Sequence, residues 1–195
     1  MGNFSDKFPV ASGSNLIEEI QACCDGSSYT VSSGTYTPES VTGKQTSTNS
    51  HAKITGSAIT YTPPTDAKYV FYNFRFMINP QNNNEHSGHS SYKLHVGGTE
   101  VTAARKHFST AYHSSYGHGI QLFDMGFVFD LTAATNDVAN GKFSDWTDAR
   151  EIKVTGRQYN TNYTVDWHAN KWRDGGSTTS TSEWTRPMLT IKATK

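Results

Sequence analysis

Two central stretches, Tyr69–Ile78 (YVFYNFRFMI) and Gly119–Leu131 (GIQLFDMGFVFDL), constrain this chain more than any other feature. Each has the length of a strand and is dense in aromatic and β-branched residues. In the first, Val70, Tyr72, Phe74, Phe76 and Ile78 share one face, with Tyr69, Phe71 and Met77 opposite them beside Asn73 and Arg75. In the second, Phe123, Met125, Phe127, Phe129 and Leu131 oppose Ile120, Leu122 and Val128. A strand of an antiparallel sheet ordinarily shows one apolar and one wet face, because successive side chains alternate across the sheet. Apolar character on both faces calls for a second cover, and in a short all-β chain another copy of the chain supplies it. The expectation is a homo-oligomer, a trimer, whose interface draws on Tyr69, Phe71, Met77, Phe123, Met125, Phe127 and Phe129.

The rest of the chain reads as more strands. Candidates recur at Tyr29–Val31, Gly34–Thr37, Ala58–Tyr61, Ser91–Val96, Glu151–Thr155, Tyr163–Ala169 and Met188–Ala193. Turn residues separate them: Pro63-Pro64, residues 79–84, Asn140-Gly141 and Asp174-Gly175-Gly176. Gly97-Gly98, between LHV and TEV, signals a two-residue hairpin. One helix is expected, from Leu16 to about Cys24, with Asn15 as N-cap and Glu18 in the capping-box position. Leu16, Ile17, Ile20 and Cys24 form its apolar stripe and Gly26 its stop. The fold class is therefore all-β, a jelly-roll-like antiparallel sandwich with one short N-terminal helix. Residues 1–14 read as a docking arm, 15–60 as a helix and short-strand region, and 61–195 as the sandwich. At 195 residues the chain can bury roughly 70% of its unfolded surface, so it needs no disulfide or metal staple.

Composition excludes some partners. Charged residues are 17% of the chain, formal net charge is +0, and no Lys/Arg cluster stands out. Nucleic acid and anionic membranes both demand a concentrated basic footprint, so neither is an expected partner. No N-terminal run has a signal-peptide pattern, and no stretch approaches the ~20 apolar residues of a membrane span. Synthesis in a cytoplasm is the expectation. The only cysteines, Cys23 and Cys24, are adjacent and unsuited to an ordinary bridge.

Reactive chemistry is sparse. Eight histidines include the loop clusters Glu85, His86, His89 and His113, His118, but their spacing matches no metal site and no cofactor is expected. Asp124 with Asp130, and Asp145, Asp148 and Glu151 near Trp146, could form a glycosidase pair if held about 5–9 Å apart. The chain has no nucleophile elbow, phosphate-binding glycine loop or zinc-protease helix. Sugar binding has a better basis. Tyr112, Tyr116, Trp146, Trp172 and Trp184, with Tyr159, Tyr163 and Trp167, lie in or beside polar stretches, and an aromatic platform with fixed hydrogen-bonding groups is what a saccharide ring needs. The first five are the expected receptor contacts. Phe4, Phe8 and Pro9 have no local element to pack in, so they are expected to dock the arm on a partner surface.

NFSDKFP in the arm, the YTPP segment leading into YVFYNFRFMI, KLHVGGTEV, REIKVTGRQYNTNYTVDWHANKWRDG and the terminal RPMLTIKA together resemble virion proteins of marine bacteriophages. They are most similar to fibre-like or capsid-decorating proteins of cyanophage-type viruses. The C-terminal two-thirds also resembles the trimeric jelly-roll heads of the tumour-necrosis-factor and complement-head type. The resemblance implies a non-enzymatic structural protein of the virion, partnered by other virion proteins and by a host surface glycan. It carries over no active-site residue. The chain has no shaft repeat or coiled-coil heptads, which sets it apart from long tail fibres. The alternative class is a lectin-like module or a glycan-degrading enzyme.

Overall fold

The structure, a computed structural model, describes residues 15–80, 88–109, 121–170 and 184–195. Thirteen strands run through them in the order β1 (Leu16–Cys23), β2 (Tyr29–Val31), β3 (Gly34–Tyr36), β4 (Gln45–Thr46), β5 (Ala52–Lys53), β6 (Ile59–Tyr61), β7 (Tyr69–Pro80), β8 (His89–Val96), β9 (Thr99–Ser109), β10 (Gln121–Asp130), β11 (Arg150–Gln158), β12 (Val165–Trp167) and β13 (Met188–Thr194). Strands β2 and β3 form a hairpin of their own, and the others make two antiparallel sheets. In the larger, β10 lies along one edge of β7, while β13 and then β12 share its other edge. Strand β1 flanks β13, and β4 flanks β12. In the smaller, β11 pairs with β8 on one side and with β6 and β5 end to end on the other, and β9 closes the edge beyond β8. Residues 15–60 thus supply strands to both sheets.

Period-two alternation drives the assembly. Val70, Tyr72, Phe74, Phe76 and Ile78 of β7 all turn inward and are buried. Across the sandwich they meet Tyr92 of β8, whose ring lies 5.7 Å from Phe76 and 4.4 Å from Phe123. Trp167 reaches over from β12 and donates its indole N–H to Tyr92 Oη at 3.2 Å. Gly156 of β11 makes room for that contact: a Cβ there would sit 2.7 Å from the Trp167 ring and 3.0 Å from Tyr92. The Gly97-Gly98 hairpin forms as its sequence demands, with φ of 56° and 84°, both in the left-handed region that glycine favours.

Residues 16–23 are strand β1, not the helix that the Asn15 cap and the apolar stripe suggest. Two helix-compatible residues are also strand-compatible here, because Ile20, Ala22 and Cys24 bury at period two while Glu19, Gln21 and Cys23 point outward. Pairing with β13 over seven positions satisfies the backbone and closes the sheet, and that outweighs a weak local helix preference. Glu18 caps nothing. It is buried, and its carboxylate accepts hydrogen bonds from Ser32 Oγ (2.5 Å), Ser33 N (3.0 Å), Ser33 Oγ (2.5 Å) and Tyr61 Oη (2.6 Å). Burial pushes this carboxyl up, but the donors from Ser32, Ser33 and Tyr61 together outweigh it and hold the group below the usual carboxylate range. The two cysteines end on opposite sides of the strand. Cys23 is exposed, while Cys24 is buried with its thiol donating to Gly56 O at 3.3 Å, and burial pushes that thiol up to about 12.

Two charge-sensitive points follow from this core. Each Glu18 oxygen accepts two of these hydrogen bonds, so replacing Glu18 by Gln turns one acceptor into a donor facing two donors. Glu18→Gln is expected to cost about 2–4 kcal/mol in urea unfolding at pH 7, a difference that shrinks below about pH 4. His168 is wholly buried at φ 65°, with its ring edge-on to Phe74 and Phe76, and neither ring nitrogen reaches a partner at full hydrogen-bond geometry. Burial pushes its pKa down from 6.5 to about 4, with the Thr55 backbone offsetting part of the shift. The folded value lies below the unfolded one, so as pH falls from about 6.5 toward 4 the unfolded state takes up a proton that the folded state refuses, and stability declines. The loss is ~3 kcal/mol at about 1.4 kcal/mol per unit, and His168→Gln is expected to flatten it in unfolding curves taken at pH 7 and pH 4.5.

Candidate functional site

The outer faces of the two sheets differ in kind. On the larger sheet, register sets outward residues side by side across four strands. Leu122 stands beside Met77, Val128 beside Phe71, and Asp130 beside Tyr69. Asp124, Arg75, Met188 and Cys23 form one continuous row, and Val128, Phe71, Lys192 and Glu19 another. Leu122 is 59% exposed, Val128 52%, Met188 47% and Tyr69 41%, which places four of the six exposed large hydrophobics among the described residues on this one face. Two ion pairs lie within the face: Arg75 to Asp124 at 3.3 Å and Lys192 to Glu19 at 2.8 Å. Asn73 adds a donor to Asp124 at 3.0 Å.

Tyr69, Phe71 and Met77 lie on this outer face, as the alternation implies. Phe123, Met125, Phe127 and Phe129 do not. Their register against Phe76, Phe74, Tyr72 and Val70 turns them inward; Met125 and Phe129 are wholly buried, and Phe123 and Phe127 pack on the core. The outward residues of β10 are Leu122 and Val128. A one-face error at a period of two moves every side chain of a strand, and here the aromatics belong to the chain's own core.

The outer face of the smaller sheet is polar and concave. Arg157 of β11, Ser91 of β8 and His107 of β9 are direct cross-strand neighbours, so a short side chain sits between two long ones. Two adjoining hollows of about 360 and 220 Å³ share these three residues in their walls. The larger is also bounded by His51, Lys93 and Arg105, the smaller by His89 and Tyr159. Tyr159 is 58% exposed and belongs to a ring cluster with Tyr163 at 5.4 Å and His89 at 5.5 Å. Its backbone N–H donates to His89 O at 2.8 Å, which fixes the end of β11 against the start of β8.

Electrostatics in this groove is one-sided. Glu100 is bound by both Lys93 and Arg105, and Arg105 foremost holds its carboxyl well below the usual range. Arg157 has no carboxylate partner among the described residues; its Nη1 donates to Asn49 O at 3.4 Å. Burial, with Lys93 and Arg157 close by, keeps His51 below the ordinary imidazole range, and burial does the same to His95. Ser91 Oγ lies 3.3 Å from His51 Nε2, and His51 Nδ1 lies 3.4 Å from Thr155 Oγ1. A serine nucleophile needs a base held by an acceptor that stabilises its protonated form. Here the third group is a hydroxyl and the neighbouring cations oppose protonation, so the arrangement offers donors to a ligand rather than a general base.

The remaining expected residues divide. Trp146 is a core residue, 4% exposed, with its ring 5.5 Å from Phe129 and 4.8 Å from Phe143 and its indole N–H donating to Tyr61 O at 3.3 Å. The polar setting of its neighbours in sequence (Asp145, Thr147, Asp148) concealed that burial. Trp167 is likewise wholly buried. Trp184 is half-buried, packed on the core, with the Arg186 guanidinium 5.4 Å from its ring. Asp124 is bound to Arg75, Asp145 to Arg150 and Glu151 to Lys153, and Asp130 accepts from Thr132. Phe4, Phe8, Pro9, Tyr112, Tyr116 and Trp172 lie outside the described residues, as do Glu85, His86, His113 and His118. Among the described residues no three His, Cys, Asp or Glu side chains group as metal ligands.

No protein-family model matches this chain. No curated protein matches it either. Among solved structures it is similar to a chain in the structure of infectious bursal disease virus, Gt strain, at 8% identity and a TM-score of 0.35, over 91% of this chain. This chain spans about 37% of that chain's length.

Because Trp146 fills the end of the sandwich, Trp146→Ala is expected to destabilise the fold by about 3–5 kcal/mol in denaturant unfolding. A surface receptor contact would change stability by less than about 0.5 kcal/mol.

Proposed function

We propose that this protein is a non-enzymatic structural component of a virus particle, assembled as a homo-oligomer, a trimer, through the outer face of its larger sheet. One observation carries the assembly: Tyr69, Leu122, Val128 and Met188 are four exposed large hydrophobics on one face, with Arg75 paired to Asp124 and Lys192 to Glu19 among them. Exposed large hydrophobics gathered on one sheet face suit an interaction surface. A second copy suits it because the internally paired Arg75–Asp124 and Lys192–Glu19 leave little like-charge repulsion between two such faces.

The virion role is supported by where the resembling phrases fall. YVFYNFRFMI is the bulk of β7, KLHVGGTEV is the β8–β9 hairpin, REIKVTGRQ spans β11, and PMLTIKAT spans β13 into its end. The likeness to bacteriophage fibre-like and decorating proteins thus follows the strands that build the sandwich. Docking on the particle is assigned to Phe4, Phe8 and Pro9, and contact with the host surface to the side of the molecule turned away from the oligomer.

Light scattering at micromolar concentration is expected to give three times the 21.5 kDa chain mass. The double variant Leu122→Glu, Val128→Glu, at exposed positions, is expected to run as a folded monomer with an unfolding curve typical of the intact sandwich. A monodisperse wild-type monomer would overturn the assembly. Electron micrographs of particles labelled with an antibody to this chain test the location, and unlabelled particles would overturn the virion role.

A further inference from the structure

The groove on the smaller sheet is built differently from an ordinary solvated face, where long cations and carboxylates alternate in pairs. Arg157, Ser91 and His107 lie across three adjacent strands, and neighbouring strands are about 4.8 Å apart, so the guanidinium and the imidazole flank an opening roughly 10 Å wide floored by a serine. Lys93 and Arg105 extend the positive wall, with Glu100 the single carboxylate between them. At the other end the exposed Tyr159 ring, steadied by Tyr163 and His89, offers an aromatic face beside the same hollow. The two features are independent, one a set of charges and the other a ring, and they meet at Arg157.

We propose that this groove binds an acidic saccharide: a sugar ring stacked on Tyr159 with its carboxylate held between Arg157 and His107 over Ser91. The guanidinium fork of Arg157 matches the two oxygens of a carboxylate. Ser91 Oγ and His51 Nε2, 3.3 Å apart, supply further hydrogen-bonding groups at the floor. A sugar presents an apolar C–H face to an aromatic ring and hydroxyls to polar rims, which is the chemistry at the Tyr159 end. Nucleic acid is the less suitable polyanion, because a phosphate backbone needs a repeated track of unpaired cations and here Glu100 occupies two of them. The inference does not rest on the oligomer or on the particle: the groove is on the opposite sheet from the apolar face, and either reading can fail alone.

Isothermal titration calorimetry of the full chain with oligomers of galacturonic acid, glucuronic acid and sialyl-lactose, against neutral galactose oligomers of equal length, tests the proposal. At least one acidic sugar is expected to bind at least tenfold more tightly than its neutral counterpart. Arg157→Gln and Tyr159→Ala, both at positions open to solvent, are each expected to weaken it tenfold or more with unchanged thermal melting. Absence of binding by all three acidic sugars would overturn the proposal, as would equal affinity for the neutral oligomers or undiminished binding by both variants. Tighter binding of single-stranded DNA than of any sugar would overturn it in favour of a nucleic-acid groove.

Discussion

Strand β7 has hydrogen-bonded neighbours along both edges, β10 over ten positions on one side and β13 followed by β12 on the other. Its inward ladder, Val70 through Ile78, is the surface on which the other sheet rests through Tyr92. A strand buried on one face and paired on both edges can slip only by turning that whole ladder outward, so its register is strongly specified. The neighbours inherit that register. The inward set of β10, the closing contact of β13 with β1, and the crossing of Trp167 from β12 to Tyr92 all follow from it.

Buried polar groups sharpen what the apolar ladder begins. Glu18 accepts from four donors contributed by the β2–β3 turn and by β6, which ties the small hairpin to the sandwich. Asp166 on β12 accepts from Lys44 Nζ at 2.8 Å and Thr46 Oγ1 at 2.7 Å, and so fixes the short β4 edge that otherwise has two ladder positions to hold it. Such groups are costly when unpaired and directional when satisfied, so each admits one arrangement of the strands around it. His168, like Asn79 through its Oδ1, is buried without full hydrogen bonds, and it places an acid-sensitive point beside Phe74 and Phe76.

The two outer faces divide the labour of the surface. One gathers exposed hydrophobics beside two internal ion pairs; the other is concave, cationic and ends in an exposed ring. They lie on opposite sheets, so a copy of the chain seated on the first leaves the second open. The proposed assembly and the proposed ligand groove therefore use separate surfaces.

Much of this architecture was legible along the chain. Alternation in Tyr69–Ile78 and in Ile152 and Val154, and the Gly97-Gly98 turn, each encode their structure within a few residues, because side-chain direction in a strand and φ in a turn are local properties. Strand β9 was not legible: only Val101, Ala104 and Phe108 turn inward, and a register shift opposite Tyr92 and Leu94 breaks the period. Nor was β1, whose spacing of apolar residues serves a helix or a strand until β13 supplies the partner. The groove could not be read either, because Arg157, Ser91 and His107 belong to three strands and become neighbours only when β11, β8 and β9 pair. The sequence by itself determined that the chain from Ser27 onward is built of strands and which residues of β7 face the core. Which face of β10 is inward, that Trp146 is buried, and where cations and an open ring meet were decided by the tertiary structure, since each depends on pairing between residues far apart in the chain.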